Sequence, residues 1–430
     1  MNTIPSEIHP LAEPLGIFIP SLYLPAPGID LTRWAVVACD QYTSQPEYWN
    51  AVETLVGSAP STLRLVLPEI YLEQPGTIPV SERIDQINQS MADYLNRQIL
   101  VEQAPGCMLV DRKTRLHPSR KGLILAIDLE CYDFNPGNCR LTRATEGTVL
   151  DRIPPRQAIR KDALLELPHV QLLIDDPGRT VIEPLFAGFS QSQPAYDTVL
   201  MQDGGAVRGW AVSAGSPELA QALQALAKLP SLCDYGLLFA VGDGNHSLAT
   251  AKAHWDSLRS SVGPDHPARF ALAEVINIHD DGLDFEPIHR ALFNISLDDF
   301  LVNAQAYLDS HAATLGPAAA KVSQNLPVFS PQREASLAVT TAEGELIVAV
   351  IQAMLDDLVR TLPETRLDYI HGEDVIRQLA AEGAVGLLLP VLDKAGFFGI
   401  IARDGVLPRK TFSMGEAFEK RYYFESRRIR

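Results

Sequence analysis

Apolar residues recur along the chain with two periods. From Ser81 onward, Ile84, Ile87, Met91, Tyr94 and Leu95 return every three or four residues while Glu82, Arg83, Asp85 and Asp93 face other ways, which predicts a surface helix. Leu219, Leu223, Leu226 and Leu229 repeat the pattern up to Pro230. Short apolar runs at 34–39, 107–112, 122–129, 170–174, 237–241 and 273–278 predict buried strands. Leu63, Leu65 and Leu67 alternate with Arg64 and Val66, predicting an extended segment that Pro68 ends. In the closing third, 345–350 reads as a strand and 354–362 as a helix. The apolar stretch 383–401, interrupted by Pro390, Asp393 and Lys394, reads as strands around a turn. Such irregular order predicts an α+β protein with mixed sheets and flanking helices.

A length of 430 residues accommodates two or three units at about 150 residues per domain. The expected division is a main α/β body over 1–290, holding the site described below, and a C-terminal α/β subdomain over 291–430. Acidic residues number 53 against 36 Lys plus Arg, a net charge of -17. That balance argues against nucleic acid or anionic lipid as a partner and for small soluble ligands, and it leaves homo-oligomerisation open. Five cysteines form neither a paired-ligand motif nor an even disulfide framework, so the expectation is a reducing, cytoplasmic setting with no structural zinc. Residues 1–10 lack the basic start and apolar segment of a secretory signal, and no run is long enough to span a membrane. Asp175 and Asp176 read as a solvated turn, and Arg427, Arg428 and Arg430 as a solvated basic end.

The sharpest local chemistry is Gly242-Asp243-Gly244-Asn245-His246-Ser247, between a buried strand and an alanine-rich helix. Gly242 and Gly244 permit close backbone approach, and unpaired amides at a helix start attract an anion. Asn245 is the expected N-cap, His246 and Ser247 are candidate phosphate contacts, and Lys252 follows roughly one turn later. Asp243 would oppose phosphate unless it holds a metal or accepts a substrate proton. This is neither a Walker A loop nor a complete dinucleotide fingerprint, and a plain capped turn fits the same residues. Elsewhere, Arg143, Glu146, Arg156 and Arg160 lie in a polar stretch. Arg156 and Arg160, four apart on a helix, could receive phosphate or carboxylate, or simply form surface ion pairs. His289 can exchange a proton near neutral pH and Arg290 offers a planar anion clamp, with a packed histidine as the alternative.

These stretches together resemble the domain of unknown function 1015 family. Its pattern includes an Asp-Gly-His-His-Arg turn and a later Pro-x-His-Arg element, here Asp243 to Ser247 and Pro287-Ile288-His289-Arg290. The resemblance extends through Asp40-Gln41-Tyr42, Arg143 to Thr148, Tyr369 to Gly372 and Pro408 to Gly415. Asn245 replaces the first turn histidine and Ser247 the arginine, removing two groups from the usual anion constellation. The turn is also distantly and locally similar to the phosphate-contacting turn of the ParB and sulfiredoxin-like fold, a group that includes free-serine kinases. That resemblance implies a core of that type and ATP or ADP with Mg2+ as cofactor, or another small phosphorylated metabolite as partner. A reported genomic association of the family with serine biosynthesis suggests a small amino-acid substrate.

The activity so implied is nucleotide-dependent phosphoryl transfer to a small hydroxy amino acid such as free serine. Gly242, Gly244, Asn245, Ser247 and Lys252 would receive the nucleotide phosphates, with Lys410 able to take the place of Lys252. His246 would help Lys252 neutralise those phosphates, His289, Arg290 and Arg156 would stabilise the transferring group, and Glu146 or Asp243 would position the hydroxyl and accept its proton. Two alternatives stand beside it: a non-enzymatic nucleotide or phosphometabolite-binding regulator, and a structural or assembly protein.

Overall fold

The computed structural model describes residues 8–73, 76–316 and 320–430; the start of the chain read above for a signal, 1–7, lies outside them. The chain divides into two compact units, one of residues 1–283 with 415–430 and the other of residues 284–414. Each has its own mixed or antiparallel sheet with helices against it, an α+β architecture.

The larger unit is organised by a ten-stranded mixed sheet. Arg120–Asp128 and Phe270–Asn277 pair antiparallel at its middle, and Gln171–Ile174 runs parallel to the second of these. Phe239–Asp243 follows antiparallel. Leu123 to Ile127 are essentially inaccessible on both faces, which explains why these strands read as unbroken apolar runs. Leu123, Leu125 and Ile127 join one core with Leu172, Val241 and Trp255, while Ile124 and Ala126 join another with Trp34, Trp49 and Tyr423. The sheet is therefore sandwiched between two apolar layers.

Residues 415–430 return to this unit as a buried strap. Arg112 donates to the Phe418 carbonyl and Arg120 to that of Glu419, each at 3.0 Å, while Arg421 pairs with Glu274 at 3.5 Å and also with Glu425. Arg427, expected in solvent, is buried and donates to Glu166 at 2.6 and 2.9 Å. A carboxylate from a distant strand entry makes that burial tolerable, and only the fold brings it there. In the run 34–39, residues 34–38 are buried as expected, but the run is not a regular strand. Its only ladder contact among the described residues is the bridge between Val37 and Tyr422, close to 400 residues away along the chain. Leu63, Leu65 and Leu67 are buried in alternation, yet Thr62–Arg64 is a 3-10 turn capped by Ser61. Asp176 is not solvated: it is buried and accepts from the backbone of Thr180 and Val181 at 2.6 and 2.9 Å, while Asp175 meets His279 at 2.7 Å.

In the smaller unit five antiparallel strands run in the order Glu334–Ala342, Lys321–Phe329, Val385–Leu387, Phe285–Phe293 and Arg366–His371, with Phe412–Met414 added to Phe285–Phe293. In the stretch predicted as a strand at 345–350, residues from Ile347 onward form the first turn of the helix Ile347–Thr361. Its β-branched residues favour a strand locally, but Val348, Ile351, Met354, Leu355 and Leu358 keep helical spacing and bury together. Within 383–401, only Val385–Leu387 is a strand; Phe397–Asp404 is a helix. Among the described residues no helix is long and apolar enough to cross a membrane.

Candidate functional site

The glycine turn sits where Phe239–Asp243 hands over to the helix Asn245–Leu258. Gly244 occupies the N-cap in the left-handed region at φ 82°, and no side chain caps the helix. A Cβ there would stand 3.0 Å from Val170 Cα, so glycine is required both by conformation and by space. Asn245, expected to cap, lies inside the helix instead. Its amide oxygen accepts from the Thr145 backbone at 3.1 Å and its amide nitrogen donates to Thr145 Oγ1 at 3.3 Å. Thr145 Oγ1 donates in turn to the Val241 carbonyl, and His246 Nε2 accepts from the Val149 backbone at 3.2 Å. The segment 145–149 is thereby lashed to the turn, which brings half-buried Glu146 into its neighbourhood.

The close approach at Val170 has a second result. Ser247 Oγ lies 2.6 Å from His169 Nε2, and His169 Nδ1 lies 2.6 Å from the Tyr423 hydroxyl, which accepts from the Cys39 backbone at 3.1 Å. Asp243 pairs with the buried Lys420 at 3.5 Å. Burial works against the charge of Asp40, but nearby His169, a hydrogen bond from Gln41 and Lys420 outweigh it and hold its carboxyl below the ordinary range. Sequence reasoning missed His169, Lys420 and Tyr423. The only local signals were a histidine at a strand entry and a charged, aromatic run near the C-terminus.

Ser247 and His169 open onto a pocket of about 160 Å³ in the larger unit. Its walls are mainly apolar, including Leu65, Met91, Ile159, Leu248 and Leu272, with Arg156 and Arg160 as cationic members. The helix Ile153–Lys161 presents these two arginines on one side, as their spacing predicted. Both are paired: Arg156 makes a bidentate contact with Glu69, and Arg160 meets Glu166 at 2.5 Å.

Other predicted residues lie differently. Lys252 reaches Asp256 at 3.1 Å, one turn further from the helix start. His289, Arg290 and Lys410 belong to the smaller unit. Arg290 is fully buried and donates to Gln352 Oε1 at 3.0 Å, to the Ile288 carbonyl at 2.6 Å and to the Lys410 carbonyl at 3.2 Å, with Tyr369 stacked on it. His289 is buried and accepts from the Leu389 backbone at 3.2 Å. These contacts make Arg290 a strut that ties its strand to the helix Ile347–Thr361 and to the turn at Lys410. Among the described residues no three metal-ligating side chains cluster.

An α+β body in which Ser247, on the helix that follows a glycine turn, meets His169 at a pocket lined by two arginine–glutamate pairs defines the class of protein in view. The chain belongs to the family described as Protein of unknown function (DUF1015), whose pattern matches residues 23–369. No curated protein matches it. Solved structures similar to it include a conserved hypothetical protein from Pyrococcus furiosus, at 10% identity and a TM-score of 0.34, over 70% of this chain and 94% of that one. A mutant free serine kinase in complex with ADP is similar at 10% identity and a TM-score of 0.37, over 71% and 92%. A free serine kinase in complex with AMP gives 10% identity and 0.35, over the same shares.

Proposed function

We propose that this protein is a nucleotide-dependent phosphotransferase acting on a small hydroxy amino acid such as free serine. The observation that carries the reading is the helix start at Asn245: no side chain caps it, and the third helix residue, Ser247, lines a pocket together with His169. A helix start of this kind receives phosphate through its amides and its dipole. The pocket, at about 160 Å³, is small beside the roughly 300 Å³ or more of ordinary ligand sites, and so suits the acceptor rather than a whole nucleotide. In this reading His246 steadies the phosphate, and Glu146 or Asp243 takes the acceptor proton. Mg2+ is carried on the nucleotide phosphates, where it offsets their charge, rather than in a protein cage.

The test is incubation of the purified chain with ATP or ADP, Mg2+ and free serine or related hydroxy acids. A phosphorylated acceptor formed only with nucleotide is the expected result. A second reading, a nucleotide or phosphometabolite-binding regulator, is favoured by the pairing of Arg156 with Glu69 and of Asp243 with Lys420, which leaves less charge to drive transfer. Saturable nucleotide binding without product would select it. Neither binding nor product would overturn both and leave a structural or assembly role.

A further inference from the structure

We propose that Ser247 is a covalent phosphoryl acceptor, with His169 as its general base. This deepens the phosphotransferase reading and rests on it. Three features of the larger unit support it. The Ser247 hydroxyl and His169 Nε2 are 2.6 Å apart, the separation a nucleophile and its base need. His169 is buried and held from behind by Tyr423, itself fixed by the Cys39 backbone, so the imidazole has a set orientation. Both groups face a real pocket, and Ser247 is the third residue of the helix, where an attached phosphate meets the favourable end of the dipole.

The geometry is built in rather than incidental. Gly244 brings the turn against Val170, and a Cβ at that position would separate the serine from the histidine beside Val170.

Ser247 Oγ attacks the terminal phosphorus of ATP, its proton passes to His169 Nε2, and the bond from that phosphorus to the bridging oxygen breaks, releasing ADP with the electron pair. The acceptor hydroxyl then attacks the phosphoserine. The bond to Ser247 Oγ breaks, His169 Nε2 returns its proton to Oγ, and the acceptor proton goes to Glu146 or Asp243.

The test uses the full chain with [γ-32P]ATP and Mg2+ but no acceptor, quenched in acid and mapped by mass spectrometry. The expected result is phosphate on Ser247, chased into product when free serine is added. Ser247→Ala should abolish the label, and His169→Gln should slow labelling ~100-fold. Thermal melting of both variants close to that of the parent excludes unfolding as the cause; if Ser247→Ala melts early, Ser247→Thr, which restores a hydroxyl, should recover the label. Product formed by Ser247→Ala at the parent rate, or label elsewhere, overturns the intermediate while leaving direct transfer intact. Neither label nor product from the parent protein overturns both.

Discussion

Two histidine-bearing segments look alike in sequence and differ in what surrounds them. In the larger unit, His246 and Ser247 stand at a helix start, and Ser247 faces a pocket with His169. In the smaller unit, Pro287 to Arg290 lie in a central strand, and Arg290 gives its donors to Gln352 and to backbone carbonyls. Burial has lowered the Arg290 pKa to about 10, with like charge from Arg409 adding to it and Tyr369 and Asp356 opposing it. Residue type alone therefore does not mark a binding group. An arginine whose planar fork is filled by protein oxygens is a packing element, whereas a hydroxyl and an imidazole beside open space are available for chemistry.

The sharpest way to break this contrast is to remove Arg290. Arg290→Met should destabilise the smaller unit by about 3 kcal/mol or more, since several buried acceptors lose their donor together. Urea denaturation checks it, and a loss under 1 kcal/mol would return Arg290 to the list of ligand contacts. The complementary change is His246→Ala, expected to lower turnover ~100-fold, about 2.7 kcal/mol in transition-state terms, while stability moves by less than about 1 kcal/mol. Unchanged turnover would contradict its proposed role. Gly244→Ala comes next: a positive φ and contact with Val170 predict a cost of about 2 kcal/mol in melting experiments, accompanied by weaker phosphate binding.

How far the sequence disclosed this site depends on distance along the chain. The strand, glycine turn and helix at 239–258 were legible because local pattern and backbone conformation determine them. The pairing of Arg156 and Arg160 on one helix side was legible for the same reason. His169 was not, because its partner Ser247 is 78 residues away and Tyr423 is 254 away. Lys420 likewise acquires meaning only when the C-terminal strap lays it against Asp243. The second half of the helix Ile347–Thr361 was legible as a helix at 354–362, but its first turn, rich in valine and isoleucine, eluded local propensity, and only the apolar seam continuing through Leu358 decides its conformation.

The smallest effect sharpens the same comparison through pH. His289 accepts a backbone hydrogen bond on Nδ1, so the ring must be neutral in the fold. Burial, with Arg290 and His371 adding to it and Glu373 opposing, pushes its pKa below the ordinary value. The unfolded chain, with histidine near 6.5, then binds more protons than the folded one at mildly acidic pH. The His289 contribution to stability is full above about pH 6.5 and is lost progressively as pH falls below it. His254 in the larger unit, lowered to about 4 by burial and by Arg160 and His266, acts in the same direction. The informative quantity is therefore the difference between the parent and His289→Gln, followed by melting temperature from pH 7 to pH 5. That difference should narrow with acid if His289 is the packed, neutral group the strand makes it. A difference that widens with acid would mean that the protonated ring is the stabilised form, and His289 would then stand with His246 as a group prepared to meet an anion.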